Sequence, residues 1–343
     1  MRFFVRKLAQ LVVVLLLVTF FSYLMLELLP GDTAERLCAG GGTEECVAQK
    51  RAELNLDDPL PVRYVRWLGG AVTGDLGSSA RNAQPVTDAL GERMPVTLSL
   101  LLYSQFIALI IAVPLAFAAA RRAGGALDRG SSATLFMLLA VPNFVMAMLL
   151  IWIFPVTLNI GNASGYTPVT PLDITNPFAN PITFVTDLIS SIPQFIGSLP
   201  ANFFSLLIPA VCLAVAEMAV YMRLLRTDLI ATLQEDYIAM ARAKGMPPRR
   251  VLLGHAFKPS TFSLITIIGL NFGRLIGGTI ILEVIFGLNG LGGYTYAAIQ
   301  GQDYIAVQGA VLLIAIFYVM INFIVDLLYA ALDPRIRHAR AIA

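Results

Sequence analysis

Six stretches of this chain are apolar over about 20 residues or more, and no other feature restricts the fold as strongly. A stretch of that length crosses the hydrocarbon core of a bilayer as an α-helix. Since 57% of the 343 residues are hydrophobic and only 13% are charged, a soluble domain would leave too much apolar surface in water. The sequence therefore predicts an all-α polytopic membrane protein with six transmembrane helices. The stretches are residues 8–29, 96–120, 133–155, 203–223, 261–286 and 307–331.

Basic residues orient these predicted helices. Lys and Arg precede the first stretch, lie between the second and third and between the fourth and fifth, and follow the sixth, whereas residues 156–202 and 287–306 contain none. Because Lys and Arg accumulate on the cytoplasmic side, we predict that both termini lie in the cytoplasm. Loop 30–95 carries seven basic residues, but a loop of this length translocates regardless of charge. The first stretch has no small-residue cleavage site, which favours an uncleaved anchor over a signal peptide.

The chain divides into three predicted parts: an N-terminal end with the first helix (1–29), an extracytoplasmic helical subdomain (30–95), and a five-helix core (96–343). In the subdomain, Thr43 is the expected N-cap of a short helix, and a second short helix is expected around Trp67.

Two cysteines lie eight residues apart in the first outside loop. Cys38 and Cys46 are in a compartment that permits disulfides if the orientation is correct. The sequence leaves a disulfide and two free thiols as equal alternatives. Cys212 lies in the fourth stretch, where a small packing residue is expected.

Residues 234–258 read QEDYIAMARAKGMPPRRVLLGHAFK and predict a short amphipathic helix between two membrane spans. Tyr237, Ala241 and Lys244 fall at i, i+4 and i+7 on one face. Gly245 favours a left-handed cap, and the two prolines that follow Met246 prevent the helix from continuing. The pattern is typical of a rigid, basic docking helix in the cytoplasm.

Charge is costly within a membrane span and faces a cavity or a partner, and the candidates are Glu217, Arg274, Glu283 and Asp326. The first three are candidates for a translocation path or an intramembrane ion pair, and Asp326 lies close to the inner headgroups. Counted along their helices, Glu217 and Arg274 lie about 21 Å and 18 Å below the outer surface. We predict that they face each other, either beside a translocation path or as a structural ion pair. Glu283 is nine residues from Arg274 and points to the opposite side of the same helix.

Gly269, Gly273 and Gly277 repeat at a spacing of four in the fifth stretch. Small residues at this spacing let membrane helices approach closely. The interpretation is helix packing, within the bundle or against a second subunit.

The residue types needed for catalysis are scarce. The chain has two histidines, His255 and His338, and no GxxxxGK[ST] phosphate loop. We therefore expect no catalytic residues, no metal site and no cofactor bound by this chain.

Several motifs along the chain resemble one known family, the dipeptide and oligopeptide permeases of bacterial ATP-binding cassette (ABC) importers. The match is strongest in DYIAMARAKGMPPRRVLLGHA. The other motifs are PGD at 30–32, LDDPLPVRYVRWLGG and TGDLGSS in the first loop, RMPVTLSL at the entry to the second stretch, GLNGLGGYTYAAIQGQDYIAVQG after the fifth, and LDPRIR at 332–337. Ala239 departs from the general importer pattern, which has Glu at this position, and Lys258 stands where that pattern has Pro.

This resemblance implies a type I ABC importer permease in the bacterial plasma membrane, which moves peptides by alternating access. It implies four kinds of partner: a second homologous permease subunit in a heterodimer, two ATP-binding subunits that carry ATP and Mg, an extracytoplasmic substrate-binding protein, and the lipid bilayer, with no nucleic acid. Residues implied to contact the ATPase are Asp236, Tyr237, Ala241, Arg242, Lys244 and Gly245.

Other functions remain as alternatives. The first alternative is a permease of the same family for nickel or haem-like cargo, because the binding protein chooses the substrate in such systems. An ion-coupled secondary transporter would also use intramembrane charges, but the sequence has no inverted repeat. A membrane-embedded enzyme lacks a nucleophile and base at workable spacing.

Overall fold

The structure is a computed structural model that describes residues 2–28, 34, 38, 43–53, 56–161, 164–169 and 181–332. The described residues form helices and no β-strand, with one isolated bridge between Ser78 and Pro85. The predicted all-α fold is thus confirmed. The helices are α1 (Arg2–Glu27), α2 (Glu44–Glu53), α3 (Leu60–Thr73), α4 (Val86–Arg121), α5 (Ala126–Leu139), α6 (Asn143–Ile151), α7 (Pro181–Thr232), α8 (Asp236–Ala243), α9 (Phe257–Ile285), α10 (Leu291–Gln300) and α11 (Tyr304–Leu332).

Two π-helical segments adjoin these helices. Trp152–Leu158 continues α6 and contains Pro155. A single helical turn, Pro248–Arg250, leads into the π-helical segment Val251–Ala256 and so into α9.

Five of the described helices are long and apolar enough to cross a membrane, and a bent pair of helices makes a sixth if it forms one span. The five lie in α1, α4, α7, the stretch that ends with α9, and α11: Ala9–Leu26, Val86–Arg121, Pro193–Thr232, Pro248–Ile285 and Tyr304–Leu328. The bent pair is Ala126–Leu139 with Asn143–Leu158.

The third predicted span, 133–155, is therefore not one straight helix. α5 and α6 meet at an angle of 99°. The break falls at Pro142, which has no backbone N–H and whose extended backbone precedes α6. A proline also disfavours the helical conformation in the residue before it, here Val141.

α7 is much longer than the predicted fourth span, because it includes part of the predicted loop 156–202. Three prolines lie inside it, Pro193, Pro200 and Pro209. Neighbouring helices and small local adjustments satisfy the carbonyl groups that such prolines free in membrane helices. The basic C-terminal residues Arg335, Arg337 and Arg340, which entered the orientation argument, lie outside the described residues.

The chain folds as two compact units, one of residues 1–95 with 291–343 and one of residues 96–290. This grouping differs from the predicted 96–343 core, because α1 packs against α11. An apolar cluster joins the first loop to the C-terminal helices and includes Val86, Leu90 and Ala310.

A polar contact fixes α1 against α11 in the first unit. The Gln308 side chain donates from Nε2 to the Thr19 carbonyl at 3.1 Å and accepts from the Ser22 hydroxyl at 3.2 Å. The Thr19 hydroxyl also hydrogen-bonds Tyr64 of α3 at 2.9 Å. Since an unsatisfied polar group is costly in a membrane, these bonds define how α1 and α11 meet.

The first loop contains the two expected short helices, and α2 begins directly after Thr43, whose carbonyl accepts from Cys46 and Val47. Cys38 and Cys46 form a disulfide in the structure. Cys212 is a free, buried cysteine.

The second unit is built around α7, which packs against α5, α6 and α9. α7 buries a row of leucines: Leu206, Leu213, Leu225 and Leu229. This framework carries both predicted functional features, the 234–258 segment and the intramembrane charges.

Candidate functional site

The helix of the 234–258 segment, α8, ends in a Schellman motif. The Met246 N–H donates to the Ala241 carbonyl at 3.3 Å and the Gly245 N–H to the Arg242 carbonyl at 2.9 Å, which is the bond pair of this motif. Gly245 has φ +77°, a conformation that strains any residue with a Cβ atom. The left-handed cap predicted at Gly245 is therefore present in the structure.

One face of α8 is buried. Ile238 and Ala241 pack against Val251, and Leu233 and Met246 complete the cluster. This small apolar cluster holds α8 against the turn that leads into α9.

The exposed face of α8 differs from the predicted one. Tyr237, Met240 and Lys244 are exposed at i, i+3 and i+7, with Met240 61% exposed. Ala241, which the sequence placed on the contact face with Tyr237 and Lys244, is buried instead. The Met246 N–H donates to the Ala241 carbonyl in the Schellman motif. The small side chain of Ala241 permits close packing at this position.

The charged residues of α8 suit its ends. Asp236 lies in the first turn and Arg242 in the last, where each charge is favourable with the helix dipole. Both side chains are exposed, so they are free to meet another protein.

The 234–258 segment is tied to the two long helices on either side of it. α7 ends at Thr232, whose hydroxyl lies 3.5 Å from that of Ser260 in α9. Val251 and Leu252 of the π-helical segment are buried. The segment that contains α8 is therefore joined to both long helices by packing contacts.

Between α7 and α9 the structure brings together Glu217 and Arg274, the charged pair expected from their matched depths. Glu217 is 1% exposed and accepts from Asn271 at 2.5 Å and from Arg274 at 3.2 Å. Both donors come from α9, so the buried carboxylate has two hydrogen bonds as well as a positive partner. These hydrogen bonds and the positive charge of Arg274 offset the free-energy cost of burying the Glu217 carboxylate in an apolar bundle.

Arg274 is 65% exposed although it lies within an apolar span. A guanidinium facing hydrocarbon is costly, so such residues face a water-filled cavity or another protein. The exposed side of Arg274 therefore marks the face of α9 that is not covered by lipid.

The sequence reasoning missed the uncharged members of this polar site. Asn271 bonds Glu217, and the Tyr221 hydroxyl donates to Gln105 of α4 at 2.9 Å. In the sequence, both Asn271 and Gln105 are amide residues within an apolar stretch, and this pattern could have indicated the site although neither residue is charged.

Glu283 does not belong to the Glu217 and Arg274 site. It is fully buried, accepts a hydrogen bond from Thr97 at 2.7 Å, and lies against Gly290. Glu283 lies nine residues from Arg274, which places it about 13 Å farther along the axis of α9 and on the opposite side of the helix. Glu283 is therefore apart from the Glu217 and Arg274 site, in agreement with its predicted position on the opposite side of α9, and a role for it in a translocation path stays a prediction.

The three spaced glycines of α9 differ in their surroundings. Gly269 is buried, whereas Gly277 is exposed and has open space where a Cβ would be. Gly277 is thus available for close contact with a helix outside this chain, and it lies one turn from Arg274 on the exposed face.

Within the described residues, no group of three or more His, Cys, Asp or Glu side chains could hold a metal ion. The functional features are instead a capped helix with an exposed face and a charge held between the two long helices on either side of it. Together with the apolar spans, they are typical of a membrane transport protein.

Comparison with known proteins gives the family. The profile of the binding-protein-dependent transport system inner membrane component matches residues 112–338, and the profile of its N-terminal region matches residues 1–101. The chain belongs to this family of ABC transporter permeases. It is an integral membrane transport subunit, and as in its family it works with an ATPase and a substrate-binding protein.

Curated relatives match along nearly the whole chain. A probable peptide ABC transporter permease protein of Sinorhizobium fredii is 32% identical over 98% of this chain and 99% of its own length. A putative peptide transport system permease protein of Brucella abortus is 34% identical over 97% and 98%. The dipeptide transport system permease protein DppB of Escherichia coli is 32% identical over 99% and 100%.

Proposed function

We propose that this chain is the permease subunit of an ATP-driven importer of dipeptides or oligopeptides. The relatives named above carry the words peptide or dipeptide in their names, and their similarity extends over both profile matches. No observation favours nickel or haem-like cargo over peptides.

The 234–258 segment is the proposed contact with the ATP-hydrolysing subunit. The single observation that carries this role is the division of α8 into a buried anchor, Ile238 and Ala241, and an exposed face of Tyr237, Met240 and Lys244. An apolar tip on an exposed helix between two spans fits a groove on a partner. The basic residues around it add charge complementarity and orientation.

The remaining partners follow from this role. Two ATP-binding subunits carry the ATP and Mg, and this chain binds no cofactor. A second, homologous permease completes a heterodimer, and the open space beside Gly277 supports close packing against it. The binding protein delivers substrate from the extracytoplasmic side, where loop 30–95 lies.

The proposed orientation has both termini and α8 in the cytoplasm of a bacterial cell. The support is the Lys and Arg distribution: Arg121 and Arg122 precede the bent pair and Arg129 lies in its first turn, whereas residues 156–202 at its other end have no basic residue. This distribution favours a bent pair that crosses the membrane.

Alternating access follows mechanically. When the ATPase subunits close, α8 moves, and since it is continuous with α7 and α9, the contact between these helices changes. Glu217 and Arg274 lie at that contact, and we assign the exposed side of Arg274 to the translocation path.

Gly245→Val tests the coupling role. Valine at φ +77° costs about 1–2 kcal/mol or more, which unwinds the Schellman motif and misdirects α8 without touching the spans. We expect normal membrane insertion, ATP hydrolysis that no longer responds to the loaded binding protein, and loss of uptake in proteoliposomes that contain the whole transporter.

The matched control is Gly254→Ala in the same segment. Gly254 has no positive φ and open space around its Cβ position, so uptake and coupling should remain normal. Normal coupling in Gly245→Val would contradict the docking role, whereas lost coupling in both variants would show only that the segment is fragile.

A further inference from the structure

A charged cavity of about 390 Å³ lies between α5 and α7 in the second unit. Its size is within the range of about 300–1,000 Å³ that is typical of ligand sites. Both helices contribute polar and apolar side chains to its wall, and neither Glu217 nor α8 takes part in it.

The buried acid of this cavity is neutralised. Asp128 forms a bidentate pair with Arg226, through Nε to Oδ1 and through Nη2 to Oδ2 at 2.7 Å. The Gly124 N–H also donates to Oδ2 at 2.7 Å. Its carboxylate therefore has no capacity left to neutralise a further cation.

Two more guanidinium groups line the same cavity. Arg223 lies over the Phe136 ring, 5.4 Å from its centroid, and Arg129 donates from Nε to the Gly124 carbonyl at 2.8 Å. Neither makes an ion pair within 4 Å with an acidic side chain in the described part of the chain. The cavity thus has an excess of two positive charges, which calls for an anion.

The position of these charges indicates what kind of anion. Arg129 precedes the apolar stretch 133–155 and Arg223 ends the stretch 203–223, so both lie at headgroup level. The apolar lining lies deeper on both helices. Phe136 is about 10 Å beyond Arg129, and Ala219 about 6 Å beyond Arg223.

We propose that this cavity binds an anionic phospholipid, with its phosphate between Arg129 and Arg223 and an acyl chain along Phe136 and Ala219. Guanidinium groups are the preferred partners of phosphate, and basic clefts between transmembrane helices suit anionic headgroups. The lipid bridges the start of α5 and the end of α7, since Arg223 lies nine residues before α7 ends at Thr232. This site is independent of the peptide substrate.

The experiment measures retention of phosphatidylglycerol by the purified whole transporter with intact-complex mass spectrometry. In Arg129→Gln/Arg223→Gln we expect about twenty-five-fold weaker binding, because each interfacial arginine contributes about fivefold. The charge-matched control is Arg121→Gln/Arg122→Gln, which removes two exposed arginines outside the cavity and should bind the lipid normally.

Equal loss in both double variants would show general surface attraction, and no loss in the cavity variant would show that the lipid binds elsewhere; either result overturns the proposal. Millimolar inorganic phosphate should leave retention unchanged. Displacement by phosphate would identify a site for the free ion rather than the lipid.

If the cavity double variant fails to assemble, Ser132→Asp provides the second test. Ser132 lines the cavity, and a carboxylate there repels the headgroup while both arginines stay in place. Retention should again fall, and normal retention in Ser132→Asp would overturn the proposal.

Discussion

At the scale of single residues, two glycines carry constraints of different origin. Gly245 requires a left-handed backbone, which the sequence indicated through its place between an amphipathic helix and two prolines. Gly290 requires space: a Cβ there would lie 2.5 Å from the Glu283 carboxylate. That second constraint is invisible in sequence, because it depends on where a side chain of α9 turns.

We predict that Gly290→Ala destabilises the end of α9. The methyl group must displace a fully buried carboxylate that also accepts from Thr97, and overpacking of this kind costs about 1–3 kcal/mol. The measurement is the thermal stability of the purified transporter. Gly91→Ala, at a helical glycine with open space around its Cβ position, is the control and should not lower it. Equal stability of the two variants would contradict the tight contact.

At the scale of secondary-structure elements, sequence periodicity located the helices but not their breaks or their neighbours. The apolar stretches predicted the spans. Pro142 breaks one of them, and hydropathy does not predict the angle at that break. Similarly, the depths of Glu217 and Arg274 predicted a pair, and the nine-residue spacing separated Glu283 from Arg274, but only the packing of α7 on α9 added Asn271 to the site.

The charge pair between α7 and α9 gives a prediction at this scale. Glu217→Leu removes the carboxylate and leaves Arg274 without its counter-charge. We expect a loss of about 2 kcal/mol, below the 3–5 kcal/mol of fully buried pairs because Arg274 is 65% exposed. Thermal unfolding of the purified transporter is the measurement.

The double variant Glu217→Leu/Arg274→Leu completes a mutant cycle. With both charges removed, no cation is left uncompensated, so the double variant should be more stable than Glu217→Leu alone. Losses that simply add would mean that the two side chains do not stabilise each other.

At the scale of the whole molecule, the side of the membrane on which α8 lies depends on the bent pair of α5 and α6. If the pair crosses the bilayer, the first loop and the 234–258 segment lie on opposite sides. If it re-enters on the same side, they lie together, since the number of crossings between them changes from three to two.

Single reporter cysteines at Asn82 and Arg249 distinguish these arrangements. Both positions are exposed, and the native cysteines give little background because two are bridged and the third is buried. We expect a membrane-impermeant maleimide to label Asn82→Cys in right-side-out vesicles and Arg249→Cys only in inverted vesicles. Labelling of both from one side would contradict a crossing by the bent pair.

The sequence by itself determined the class of this protein. Stretches this long and apolar are stable in a membrane, and the distribution of Lys and Arg predicts their orientation. A capped helix that follows a span and ends before two prolines predicts a docking segment. These properties depend on local composition and backbone preference, which the order of residues states directly.

Tertiary structure alone decided which residues meet. It turned Ala241 inward and Met240 outward, grouped α11 with α1, set Glu283 against Gly290, and placed Arg129 and Arg223 at the wall of one cavity. The physical reason is that each of these contacts joins residues far apart in the chain, depends on the rotation of a helix about its own axis or, for Glu283 and Gly290, depends on the direction that a side chain takes. Periodicity defines a helix and its faces, but only packing selects the face that becomes buried.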